Sequence, residues 1–137
     1  MLPADFNPLA RFSSRVQNYV RYRPGYPLSL IDFLETNLGL APGAVIADVG
    51  SGTGKLSELF LDRGYRVIGI EPNDEMREAA EGLKERYPDF VNLAGQAESL
   101  PLDDRSVQAV MAGQAFHWFD PGKTRAEFAR VLVPGGL

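Results

Sequence analysis

The residues able to do chemistry in this sequence sit beside glycine-rich or polar turns. Asp48-Val49-Gly50-Ser51-Gly52-Thr53-Gly54 ends an apolar run beginning at Val45 and leads into Lys55-Leu56. A strand therefore enters a turn whose alternate glycines let backbone approach a ligand. The helix opening behind it offers N–H groups without intrahelical partners. Glu71 stands directly after a second apolar run, Val67-Ile68-Gly69-Ile70. An acidic side chain there, roughly 20 residues beyond the glycine turn, can accept hydrogen bonds from both hydroxyls of a ribose and would repel a 2′-phosphate. The stretch Gly95-Gln96-Ala97-Glu98-Ser99-Leu100-Pro101-Leu102 carries polar groups that can read the edge of a purine base. His117 lies within Gln114-Ala115-Phe116-His117-Trp118-Phe119-Asp120 and is the sole histidine. It is the candidate general base, should an acceptor hydroxyl or amine need deprotonation.

These turns need elements to hold them. Phe12, Val16, Tyr19 and Val20 recur at helical spacing and predict a short amphipathic helix over 13–22, broken at Pro24. A second helix over 28–38 would bury Leu30, Ile31, Leu34 and Leu38, with Gly39 as its stop. Beyond it, strands are expected at 45–49, 66–70, 90–94 and 107–112. The helix over 55–63 turns Leu56, Leu59 and Phe60 inward. A helix capped by Asn73 turns in Met76, Ala79, Ala80, Leu83 and Tyr87, and one starting at Asp120-Pro121 turns in Phe128, Val131 and Leu132. Such alternation implies parallel strands with right-handed crossovers. The fold class is α/β: an open, doubly wound, mostly parallel Rossmann-like sheet with helices on both faces. Residues 1–40 form an N-terminal helical cap and 41–137 the ligand-binding core of one structural domain. A fifth strand should begin at Leu137, where the chain ends. The fold is thus expected to be truncated after the fourth strand and its helix, with a longer chain or self-association covering the apolar edge.

Length and composition narrow the function. At 137 residues with 45% hydrophobic and 23% charged content, the chain suits one globular domain. It has no apolar run of the ~20 residues that span a bilayer. A cytoplasmic location is expected, with no secretory signal, no membrane partner, no cysteine nucleophile and no metal site. The net charge is −4, yet Arg11, Arg15, Arg21 and Arg23 face only Asp5 in residues 1–26. The acidic remainder disfavours nucleic acid as a partner. The glycine spacing departs from the dinucleotide fingerprint, whose third glycine follows three residues after the second. It is not a P-loop either, because Leu56 follows Lys55.

Taken together, Asp48-Val49-Gly50-Ser51-Gly52-Thr53-Gly54, Glu71-Pro72-Asn73-Asp74-Glu75-Met76 and the Gly95–Leu102 stretch resemble class I S-adenosylmethionine-dependent methyltransferases. The likeness is to the small-molecule, type 11 branch, and it runs from about Phe12 to Leu137. It implies S-adenosyl-L-methionine as cofactor. Asp48, Gly50, Ser51, Gly52 and Gly54 would serve its methionine part and Glu71 its ribose. Asn73 and Met76 would flank the adenine, although Met76 reads equally as a core residue. Gln96, Ala97 and Glu98 would lie along the adenine edge; Gln96 stands where many relatives carry aspartate. Tyr19-x-x-Tyr22-Arg23-Pro24-x-Tyr26-Pro27 is similar to the cap of relatives in which arginine approaches the cofactor carboxylate, which implies that role for Arg23. Gln114 joins the cofactor contacts, and His117 is either a base or a residue shaping the site. The implied activity is in-line methyl transfer to a small-molecule acceptor. A non-catalytic cofactor-binding fragment or interaction domain stays open, as does a nicotinamide-dependent dehydrogenase.

Overall fold

The computed structural model describes residues 29–112 and 120–137. The predicted helix over 13–22, Arg23, Gln114 and His117 lie outside the described residues. The elements run α1 (Ser29–Asn37), β1 (Val45–Val49), α2 (Lys55–Asp62), β2 (Arg66–Ile70), α3 (Asp74–Ala80), β3 (Val91–Leu93), β4 (Ala109–Met111) and α4 (Pro121–Val131). A 3-10 turn over Glu81–Glu85 continues α3. The strands form one parallel sheet in the order β3-β2-β1-β4. Val45 pairs with Arg66 and Val49 with Ile70, so the carboxyl ends of β1 and β2 are level. The chain runs outward from β1 through β2 to β3, then returns to the far side of β1. That reversal puts every strand-end loop on one rim, the place where open parallel sheets bind ligands.

The period of two along each strand sorts side chains into two cores. Ile46 and Val67 join Ile31, Leu34, Leu56, Leu59 and Phe60, so α1 and α2 cover one face. Ala47, Val49 and Ile70 join Val107, Val110 and Val131 on the other, where α4 packs. Through Ile31 and Leu34, α1 packs into the sheet's own core.

Several boundaries differ from expectation, each for a local reason. Leu38 is 49% exposed rather than inward. Gly39, at φ +75°, turns the chain so that Leu40 is buried instead, its N–H bonding Leu34 O at 3.1 Å. Ala79 is exposed because α3 ends at Ala80 and tightens near Gly82, while Met76 and Ala80 are buried and Leu83 and Tyr87 pack against the core as expected. β3 and β4 are three residues each, shorter than the runs at 90–94 and 107–112. Phe90 and Val107 are buried just outside them, and Val107 instead bridges Leu132 after α4. Pro134-Gly135-Gly136 then brings the Leu137 N–H to Gln108 O at 2.9 Å.

Candidate functional site

The glycine turn after β1 needs its glycines. Gly50, Gly52 and Gly54 take φ of +70°, +58° and +91°, a region that side-chain-bearing residues rarely adopt. Ile70 O, at the end of β2, accepts from the N–H groups of Gly50 at 2.8 Å and Ser51 at 3.2 Å. Gly54 opens α2 without a side-chain cap, and a Cβ there would come within 2.6 Å of Leu83 Cδ1. A side chain at position 54 would therefore displace Leu83 in addition to straining the backbone. A Cβ on Gly69 would sit 3.1 Å from Ser51 Oγ and 3.2 Å from a Phe90 ring atom, so β2 narrows where the turn crosses it. The side-chain oxygens of Ser51 and Thr53 are buried without a hydrogen-bond partner among the described residues.

Glu71 ties the two strand ends together. It is 4% exposed. One carboxylate oxygen accepts from Gly52 N–H at 2.8 Å and the other from Asn73 N–H at 2.8 Å. Its backbone carbonyl accepts from Arg77 at 2.9 Å, and its N–H donates to Leu93 O at 3.0 Å. Burial raises the carboxyl's pKa; the N–H groups of Asn73 and Gly52 and the charge of Arg77 pull the other way. Each oxygen keeps a lone pair for a further donor. Asn73 caps α3, its Oδ1 accepting from Met76 N–H at 2.9 Å. Met76 is 1% exposed, enclosed by protein.

Asp48 is buried near the end of β1. Its Oδ2 accepts from the Ser57 hydroxyl at 2.6 Å, so it fastens the first turn of α2 to the end of β1. Burial pushes its carboxyl up to about 7; Ser57 opposes that rise and the negative charge of Glu71 adds to it.

The loop after β3 is folded back on itself. Ser99 N–H bonds Gln96 O at 3.1 Å, and a Cβ on Gly95 would meet Pro101 Cδ at 2.9 Å. Gln96 is exposed at the loop's tip, while Ala97 and Leu100 are buried. Glu98 accepts from Asp120 N–H at 3.2 Å, which ties the loop to the start of α4. Glu127 Oε1 accepts from Leu100 N–H at 2.7 Å. Arg130 reaches the carbonyls of Leu100 at 3.1 Å and Leu102 at 2.8 Å. Its hydrogen bond to Glu127 holds that carboxyl below the usual range.

The structure thus brings Gly50, Ser51, Gly52, Glu71 and Asn73 together at the level carboxyl ends of β1 and β2, with Gln96 and Ala97 on the loop that follows the adjoining strand. A buried carboxyl group at Glu71, a turn rich in N–H groups and two unpartnered hydroxyls suit a polyhydroxylated ligand. The sequence reading missed Thr53, Ser57, Gly69, Glu127 and Arg130. A glycine inside a strand was the available signal for Gly69; a buried serine and a helical ion pair gave none. Among the described residues no cluster of side chains could hold a metal ion. No helix there is long and apolar enough to cross a membrane.

A family model described as a methyltransferase domain matches residues 47–137. A methyltransferase of uncharacterised activity from Mycobacterium tuberculosis is 44% identical over 127 residues, covering 91% of this chain and 49% of that protein. Demethylmenaquinone methyltransferase of Renibacterium salmoninarum is 36% identical over 100 residues, covering 72% and 41%. Among solved structures, the YcgJ protein of Bacillus subtilis superposes with a TM-score of 0.66 at 28% identity, covering 77% of this chain and 45% of its own. The chain spans about half the length of the curated relatives named here.

Proposed function

This chain belongs to the methyltransferase-domain family, of the class I, type 11 branch, and from that premise we propose that it binds S-adenosyl-L-methionine and directs its methyl group to a small-molecule acceptor. The observation that carries the reading is Glu71: a buried carboxylate at the end of β2, joined to Gly52 of the turn, with acceptor capacity left for ribose hydroxyls. The cofactor supplies a methyl already activated by the sulfonium, so the protein's task is to hold, orient and dry the reacting pair. The backbone of Gly50–Gly54, with the Ser51 and Thr53 hydroxyls, would hold the methionine part, and Gln96 and Ala97 the adenine edge. Asp48, Asn73 and Glu98 support those groups through Ser57, α3 and α4 in turn. Arg23, Gln114 and His117 are proposed as the covering side, in the roles of carboxylate partner, cofactor contact and base or site-shaping residue.

That a relative's name specifies demethylmenaquinone supports an organic small-molecule acceptor as the class. A cytoplasmic location and a second copy pairing along β4 belong to the same proposal. Titration with S-adenosylhomocysteine and with NADH tests the cofactor. Saturable binding of the first and none of the second is expected; the reverse would replace the methyltransferase reading with a dehydrogenase. Cofactor binding without turnover on any acceptor would favour the non-catalytic alternative.

A further inference from the structure

We propose that Glu127 and Arg130, on the last turns of α4, position the loop after β3 for reading the adenine edge, an inference that rests on the cofactor reading above. An ion pair three residues apart on a helix is ordinarily worth little, because solvent competes for both charges. Here the pair is spent on the loop. Arg130 has five N–H donors, and each makes one bond. Nε reaches Glu127 Oε2 at 2.7 Å, and Nη2 reaches Glu127 Oε1 at 3.0 Å and Leu100 O at 3.1 Å. Nη1 reaches Leu102 O at 2.8 Å and Asp104 Oδ1 at 2.7 Å.

Glu127 Oε1 also accepts from Leu100 N–H at 2.7 Å, so α4 holds both backbone polar groups of Leu100. At its other end, α4 presents Asp120 N–H to Glu98. Ala97 and Leu100 are themselves buried, in the core that also holds Val131 and Val107. The tip at Gln96 is left outward with its backbone fixed. A planar fork is needed to satisfy two carbonyls and two carboxylates at once, which a lysine cannot do. Arg130 touches no reacting atom in this account; it acts through the loop.

The test uses the 137-residue chain, with amide hydrogen exchange and ligand titration on Arg130→Ala, Arg130→Lys and Gln96→Ala. Exchange across residues 96–102 should rise in both Arg130 variants, while exchange across 50–54 stays at the wild-type level. Affinity for S-adenosylhomocysteine and for adenosine should fall by the same factor, about tenfold, because the lost contacts belong to the shared adenine. Gln96→Ala should add nothing once Arg130 is gone. Unchanged exchange at 96–102, unchanged affinity, an additive Gln96 penalty, or full rescue by lysine would each overturn the proposal. A wild-type chain that fails to bind S-adenosylhomocysteine sinks the methyl-donor reading and the positioning role with it. The exchange data still decide, without ligand, whether the clamp exists.

Discussion

Glu71 does two things with one carboxylate, and substitutions can separate them. Its oxygens hold Gly52 and Asn73 through buried N–H groups, so an alanine leaves two donors unsatisfied, at about 1–3 kcal/mol each. Glu71→Gln keeps the shape and one carbonyl oxygen but sets an NH2 group against a backbone N–H. Glutamine is expected to lower stability by about 1–3 kcal/mol. It should weaken S-adenosylhomocysteine by roughly tenfold to a hundredfold, as loss of a charge-assisted acceptor implies. Denaturant unfolding and calorimetric titration read the two effects apart. Stability loss with unaltered affinity would reduce Glu71 to a brace between strand ends. Asn73 belongs to the same brace: Asn73→Ala removes the cap on α3 and should cost about 1 kcal/mol in the same unfolding experiment.

At the scale of elements, the glycine turn is held from behind as much as shaped for a ligand. Gly54→Ala would strain a φ of +91° and drive a Cβ into Leu83 of the 3-10 turn. Backbone strain at a left-handed position contributes about 1–3 kcal/mol, and the contact adds to it. In a Gly54→Ala, Leu83→Ala double variant the contact is relieved and the φ strain remains. The pair should therefore be less destabilised than the sum of the single changes, as judged from unfolding midpoints. Strict additivity would mean that the 3-10 turn does not press on the loop. These elements were unequally legible in the sequence. β1 and β2 fall where their apolar runs lie, because runs buried on both faces have little else to do. The cap residues Asn73 and Asp120 carry the bonds their types suggest. Leu38 and Ala79 misled, since a helix's last turn can be re-aimed by a glycine that periodicity does not register. No sequence pattern singles out Glu127 and Arg130, because the Leu100 N–H that Glu127 accepts from and the carbonyls that Arg130 reaches belong to a loop 25 or more residues away in sequence.

Among the described residues the buried carboxyl groups, Asp48 and Glu71, lie near one rim, and stability should register that. Asp48 is 2% exposed, on the face shared with Ile46, and its carboxyl is pushed up to about 7 chiefly by burial. In the unfolded chain the same group titrates at its ordinary value near 3.8. The folded state therefore binds the proton more tightly than the unfolded state does. The associated stability is complete below the unfolded value, declines as pH rises towards 7, and is gone above it. The informative quantity is a difference between two proteins. Asp48→Asn keeps the size and an acceptor for Ser57 but carries no charge. Its stability relative to wild type should increase between pH 5 and 7 by at most about 1.4 kcal/mol per pH unit, then level off. The negative charge of Glu71 contributes to the rise at Asp48, so in a Glu71→Gln background the difference should level off at a lower pH and reach a smaller total. Urea unfolding at half-unit steps from pH 5 to 8 measures both. Parallel stability curves for wild type and Asp48→Asn would show that Asp48 is ionised throughout this range, its charge held by Ser57 and the opening of α2.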